Sequence, residues 1–211
     1  MIDVISILKK VGAILENDHF VGNSGRHMAA YVNKDRLYPH TEETSQVGLF
    51  FAEKFKDADI DVVVGPAFGG IILSQWTAYH LSKLKKKEVL GIYTEKLPDE
   101  SQVFNPKRAY DMFVKDKKIL IVEDVTTTGG SVKRVVDTVR TAGGTVVAVC
   151  VMVNRDPERV TDTAVGAPFH ALAVYPVESY DPAACPLCKS GVPVNTKIGH
   201  GKKFLEEQKK K

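Results

Sequence analysis

Short apolar runs alternate with longer amphipathic segments along most of this chain. IDVVVGPAFGG (60–70), VLGIYTEK (89–96), KKILIVED (117–124), TVVAVCVMVNR (145–155) and ALAVYPVES (171–179) carry the short runs. Runs of this length, bounded by glycine, proline or charge, predict strands buried on both faces. Between them, residues 41–55, IILSQWTAYHLSKL (71–84) and SVKRVVDTVRTAGG (131–144) space their apolar residues as helices do, and Gly143-Gly144 closes the last. Strand and helix alternating in this way mean βαβ units, so the expected fold is α/β with a doubly wound, mostly parallel sheet. No internal repeat or low-complexity linker interrupts the pattern, and residues 1–211 are expected to form one domain.

The ends and one connection depart from that rhythm. MIDVISILKKVGAILEND (1–18) sets Asp3, Lys9 and Lys10 within its apolar pattern, which predicts an amphipathic helix rather than a signal peptide. HFVGNSGRHMAAYVN (19–33) predicts a hairpin turning at Asn23-Ser24-Gly25, so residues 1–40 form a local addition to the core. LPDESQVFNPKRAYDMFVK (97–115) is long, polar and placed between core strands, as mobile lids are. Residues 181–211 make a C-terminal tail ending in Lys209-Lys210-Lys211, expected to fray.

A net charge of +3 falls short of a nucleic-acid footprint but suits a small polyanionic substrate. Nothing reaches the apolar length of a membrane span. Three cysteines argue against a disulfide framework and fit a reducing cytoplasm. Cys150 sits in an apolar run and reads as core. Cys185-Pro186-Leu187-Cys188 has the spacing of half a zinc site, for which His200 is a candidate third ligand; a reduced structural pair is the alternative. His27, His40, His80 and His170 read as surface or core residues.

One stretch concentrates chemistry. In ILIVEDVTTTGGS, Glu123 and Asp124 end a strand and therefore stand at the carboxyl edge of the sheet, where ligands of such folds bind. Thr126, Thr127, Thr128, Gly129, Gly130 and Ser131 then lead into a helix whose first turn has unpaired N–H groups and a partial positive charge. Glycines admit an anion close to the backbone and hydroxyls add donors, which together cradle one phosphate. Carboxylates beside a phosphate must face something else, and ribose hydroxyls suit them. It is neither a Walker loop nor a GxGxxG turn.

These residues resemble the phosphoribosyl-diphosphate signature of the type I phosphoribosyltransferases. By that resemblance Glu123 and Asp124 hold the ribose hydroxyls, and Val125 through Ser131 wrap the 5-phosphate. Three more stretches resemble the orotate phosphoribosyltransferases within that superfamily. Ser24-Gly25-Arg26 is similar to their N-terminal hood. VVVGPAFGG resembles their diphosphate loop, where the Ala67–Phe68 peptide is expected to be cis. VNRDPE places Arg155 where the family holds the orotate carboxylate, with Thr127 as a second contact and Asn23 or Ser24 reaching the ring.

The resemblance implies Mg²⁺ as cofactor, 5-phosphoribosyl 1-diphosphate and orotate as substrates, and a homodimer in which the lid reaches the neighbouring site. Lys96 is implied for the diphosphate and, with Asp124, for catalysis. The chain departs from the family pattern in having Gly69 where many members carry lysine, Glu95-Lys96 in place of Arg-Lys, and no histidine in the lid. Lys107 and Arg108 are candidates for the missing charge. Two rival readings stay open: a purine phosphoribosyltransferase, and a regulator that binds the sugar diphosphate without turnover.

Overall fold

The computed structural model describes residues 3–22 and 24–208. Asp3 caps α1 (Val4–Lys10), accepting from Ser6 N at 2.7 Å. The helix is shorter than its apolar pattern predicts. Gly12 turns the chain at φ +67°, and β1 (Ile14–Leu15) then pairs with a later strand instead of continuing the helix. The hairpin follows as β2 (Phe20–Val21) and β3 (His27–Met28), antiparallel with Val21 opposite His27. β4 (Tyr31–Val32) returns to β1.

The core begins with α2 (Thr41–Lys54) and β5 (Val62–Pro66), then α3 (Gly69–Lys85) and β6 (Leu90–Lys96). β7 (Gln102–Val103) folds back on β6, with Glu95 opposite Val103. β8 (Lys118–Thr126), α4 (Gly130–Thr141), β9 (Thr145–Asn154), α5 (Asp162–Val165) and β10 (Phe169–Val174) complete the alternation. The tail adds β11 (Ser179–Tyr180), α6 (Pro186–Lys189) and α7 (Gly201–Gln208). Lys209 to Lys211, predicted to fray, lie outside the described residues, as does Asn23. Among the described residues no helix is long and apolar enough to cross a membrane.

The main sheet runs β10-β9-β8-β5-β6-β7, parallel except for β7. Period-2 alternation explains why its strands read as continuous apolar runs. Val62, Val64, Ile119, Ile121, Val149 and Val151 face the layer containing α4. Val63, Leu120, Val122, Cys150 and Met152 face the layer of α1, α2 and α3. From β5 the chain winds outward to β6; from β8 it winds outward in the opposite direction to β9 and β10. The order therefore reverses between β5 and β8, and a crevice opens beyond their carboxyl ends.

The 97–115 segment is less uniform than its polarity suggests. Phe104 and Val114 are buried and join the α4 side of the core. The exposed hairpin tip spans residues 97–101. Arg108 forms an ion pair with Glu95, which also accepts from Asn105 Nδ2 at 2.9 Å.

Candidate active site at the carboxyl edge of the sheet

β8 carries Glu123 and Asp124 to the reversal point with little exposure, 8% and 5%. Backbone hydrogen bonds orient both carboxylates: Asp124 N donates to Glu123 Oε1 at 2.9 Å and Val125 N to Asp124 Oδ1 at 2.6 Å. Burial first, and the Asp124 charge second, raise the Glu123 pKa well above the ordinary carboxylate range. Glu123 is thereby biased towards its neutral form.

Two residues that the sequence reading did not single out complete this cluster. Tyr38 donates its hydroxyl to Asp124 Oδ2 at 2.9 Å, and Lys34 Nζ lies 3.2 Å from the same oxygen. Burial and then the Asp124 carboxylate push the Tyr38 phenol far above its usual value, so it remains a donor. Burial opposes charge on Lys34, yet Asp124 and Asp35 outweigh it, and its pKa stands above that of an ordinary lysine. Both residues follow the hood, 86 and 90 positions from Asp124, in a segment with no motif to mark them.

The β5–α3 connection faces the acids. The Ala67–Phe68 peptide is cis, as expected, and Ala67 N donates to Thr94 O at 2.8 Å. Phe68 is exposed. Gly69 explains one departure from the family pattern: a Cβ there would overlap both the Asp124 carboxylate and the Tyr38 hydroxyl. No lysine fits at that position while Asp124 and Tyr38 meet.

Beyond β8, the Thr126 and Thr128 hydroxyls accept from Gly129 N at 3.1 Å and Gly130 N at 3.4 Å, holding the loop open. Gly129 takes φ +76°, which a side chain would resist. Thr127 and Thr128 are exposed, and Gly130 and Ser131 partly so. Neither α3 nor α4 has a side-chain N-cap, so two helix N-termini present amide groups at the same sheet edge.

Arg155 follows β9, its backbone N donating to Thr126 O at 2.9 Å, which ties it to the Thr/Gly loop after β8. Its guanidinium turns towards the hood, with Nη2 3.1 Å from Met28 Sδ. Burial lowers its pKa, and its buried Nε has no partner. No carboxylate pairs with it among the described residues, so a half-buried cation stands in a position that an anion would satisfy.

Lys96 ends β6, two residues past Thr94, which pairs with Pro66. Its ammonium bonds Glu100 at 2.7 Å, across the hairpin tip. Arg108 is committed to Glu95 and does not supply free positive charge. Ser24 is exposed on the hood turn.

Cys150 is fully buried, as predicted. Cys185 and Cys188 meet His19 and His27, all four ligand atoms lying within 4.8 Å of one another. His200 is not in that group; its backbone N donates to Val21 O, and it lines a small groove beside the hood turn. His27, expected to be an ordinary surface or core residue, is instead part of the cluster.

The phosphoribosyl transferase domain family matches residues 33–165, from the segment bearing Lys34 and Tyr38 through α5. An orotate phosphoribosyltransferase of Thermotoga maritima is 38% identical over 198 residues, covering 93% of this chain and 98% of that protein. One from Caldanaerobacter subterraneus subsp. tengcongensis is 34% identical over 191 residues, covering 90% and 93%. The crystal structure of orotate phosphoribosyltransferase from Aeropyrum pernix superposes with a TM-score of 0.63 at 26% identity, covering 81% of this chain and 93% of that one. With the acid pair, the Thr/Gly loop and an arginine that no carboxylate among the described residues pairs gathered at one sheet edge, with a domain match over most of the chain and with relatives at 38% and 34% identity, the chain belongs to the orotate phosphoribosyltransferase family.

Proposed function

We propose that this chain transfers ribose 5-phosphate from 5-phosphoribosyl 1-diphosphate to orotate, yielding orotidine 5′-monophosphate and diphosphate in pyrimidine biosynthesis. The observation that selects the base is Arg155. A planar guanidinium without a carboxylate partner among the described residues, tied by its backbone to the phosphate loop, suits bidentate pairing with the carboxylate on the orotate ring. Thr127, and Asn23 or Ser24 from the hood, complete the base site in this reading.

The sugar follows from the same geometry. Thr126 to Ser131 and the N-terminus of α4 take the 5-phosphate. Glu123 and Asp124 take the ribose hydroxyls. Ala67, Phe68 and the start of α3 take the diphosphate, with Lys96 once it leaves Glu100. Ribose hydroxyls arriving at Asp124 compete with Lys34 and Tyr38 for Oδ2, and a displaced Lys34 brings positive charge to the leaving group.

The transition state resembles an oxocarbenium ion, short of electrons at the sugar and rich in charge at the departing diphosphate. No covalent nucleophile is required. The chain positions two reactants, stabilises the leaving group and excludes water. Mg²⁺ fits as a substrate-borne ion rather than one held by a protein cage, because no carboxylate group of three or more gathers among the described residues. Asp124 would stand beside such an ion, which would supply charge neutralisation for the departing diphosphate. The same reading makes the working unit a cytoplasmic homodimer in which the lid segment 97–115 approaches the partner's site.

The test is the ultraviolet absorbance of orotate mixed with protein, phosphoribosyl diphosphate and Mg²⁺, beside reactions with hypoxanthine, adenine or uracil. Consumption of orotate alone, lost in Asp124→Asn and Arg155→Ala, supports the proposal. Turnover of a purine instead removes Arg155 from the site. Binding of the sugar diphosphate without turnover of any base makes the protein a regulator.

A further inference from the structure

Far from the sheet edge in sequence, four side chains converge between the hood and the tail. His19 and His27 lie diagonally across the β2–β3 pairing, on one face of the hairpin. Cys185 caps α6 and Cys188 sits one turn on, so both sulfurs point the same way. His19 Nε2 lies 2.8 Å from His27 Nδ1, 3.7 Å from Cys185 Sγ and 3.8 Å from Cys188 Sγ. Cys188 Sγ lies 3.3 Å from His27 Nδ1. His19, His27 and Cys185 are completely buried, and Cys188 forms the rim.

We propose that His19, His27, Cys185 and Cys188 bind a structural Zn²⁺ that clamps the hood hairpin to the C-terminal segment. Two imidazoles and two thiolates are a common structural zinc set, borderline-soft and suited to tetrahedral coordination. Metal–sulfur bonds of about 2.3 Å and metal–nitrogen bonds of about 2.0–2.1 Å imply ligand–ligand edges of roughly 3.3–3.8 Å. The three sulfur–nitrogen distances fall in that range. The imidazole pair, at 2.8 Å, is closer and must open by about half an ångström. His19 Nδ1 faces Val192 O at 2.7 Å, a contact that places the proton on Nδ1 and turns the Nε2 lone pair into the cluster. No carboxylate belongs to the group, and both cysteines are free thiols. A redox pair is the rival, because Cys185 does stand at the start of a helix, but each sulfur faces imidazole.

The location gives the metal a purpose. β11 pairs with β3 through Tyr180 and His27, and Arg26 bonds Ser179 and Asp181. Asn195 N donates to His19 O, and Asn195 Nδ2 to Asp18. The metal would close a loop of some 160 residues, the circumstance in which a cross-link removes most entropy from the unfolded chain. Met28, adjacent to His27, touches Arg155, so the clamp fixes one wall of the base site without entering the chemistry.

The test is the metal content of protein purified without chelator, with the Co²⁺-substituted protein examined by visible absorption. About one zinc per chain is expected, with the intense bands and thiolate charge transfer of tetrahedral cobalt. Cys188→Ser, at the exposed rim, should lose that spectrum and most of the metal. Stripping zinc should raise the KM for orotate more than that for the sugar diphosphate. Metal-free protein that neither takes up Zn²⁺ nor changes its melting temperature with chelator would overturn the proposal. So would a Cys185–Cys188 disulfide found by mass spectrometry in protein handled with thiols blocked, or a cobalt spectrum unchanged in Cys188→Ser.

Discussion

Lys34 Nζ stands 3.2 Å from Asp124 Oδ2, joining the exit of the hood to the end of the central strand. The side chains are 32% and 7% exposed, so the pair is screened far less than a surface ion pair. Asp124 Oδ2 and the Tyr38 hydroxyl bonded to it also account for Gly69, because they fill the space that a Cβ there would need.

Replacing Lys34 by methionine keeps the stem but removes the charge. The KM for phosphoribosyl diphosphate should rise ~10-fold, with the KM for orotate nearly unchanged. Initial-rate kinetics with each substrate varied would check this. Equal effects on both KM values would place Lys34 outside the sugar site.

Restoring the family's lysine should harm this enzyme. Gly69→Lys, and even Gly69→Ala, drive a Cβ into Asp124 and Tyr38. The displacement of Asp124 should lower kcat/KM by ~100-fold, since small misplacements at a reacting centre cost that much. Circular dichroism should remain native. Unimpaired turnover by Gly69→Lys would mean that Asp124 adopts another position in the working enzyme.

Arg155→Lys is not a conservative change at a planar, bidentate site. Arg155→Ala should cost about 2–5 kcal/mol in orotate binding, the range for one partner of a buried charge pair. Arg155→Lys should recover only part of it. Isothermal titration with orotate in the presence of the product diphosphate measures both. Discrimination between orotate and uracil should narrow in parallel, because uracil has no carboxylate.

Glu123 predicts a dependence on pH. Its folded pKa is raised, by burial first and Asp124 second, so the folded state binds that proton more tightly than the unfolded chain does. The stabilisation is fully present below the ordinary glutamate pKa and is lost as pH rises through the raised folded value. Glu123→Gln removes this loss. Its melting temperature relative to the parent should therefore improve steadily from pH 5 to pH 8. A difference that is flat with pH would show that Glu123 is ionised throughout.

How much of this was legible in the chain follows from how local each signal is. The strands at 62–66, 118–126 and 145–154 were plain because their middles are buried on both faces, so Val62–Val64, Ile119–Val122 and Val146–Val153 run apolar without a break. Glu123 through Ser131 could be singled out because the acids, hydroxyls and glycines stand in consecutive positions. The first helix was overextended: Ile14 and Leu15 fit a helical pattern, yet pairing with Tyr31 and Val32 claimed them for a strand. Lys34 and Tyr38 were missed because nothing around them repeats or clusters.

The sequence by itself determined the doubly wound sheet, the acid pair at its carboxyl edge, the Thr/Gly turn that follows it and the close spacing of Cys185 and Cys188. These are properties of contiguous stretches, set by side-chain period, backbone freedom and donor chemistry. Tertiary structure alone decided which residues answer them from a distance. It put Lys34 and Tyr38 on Asp124, filled the space that a side chain on Gly69 would need, left Arg155 without an acid among the described residues, and gave Cys185 and Cys188 two histidines more than 150 residues earlier. Such pairings depend on how separate elements pack across the core, and no local pattern encodes that distance.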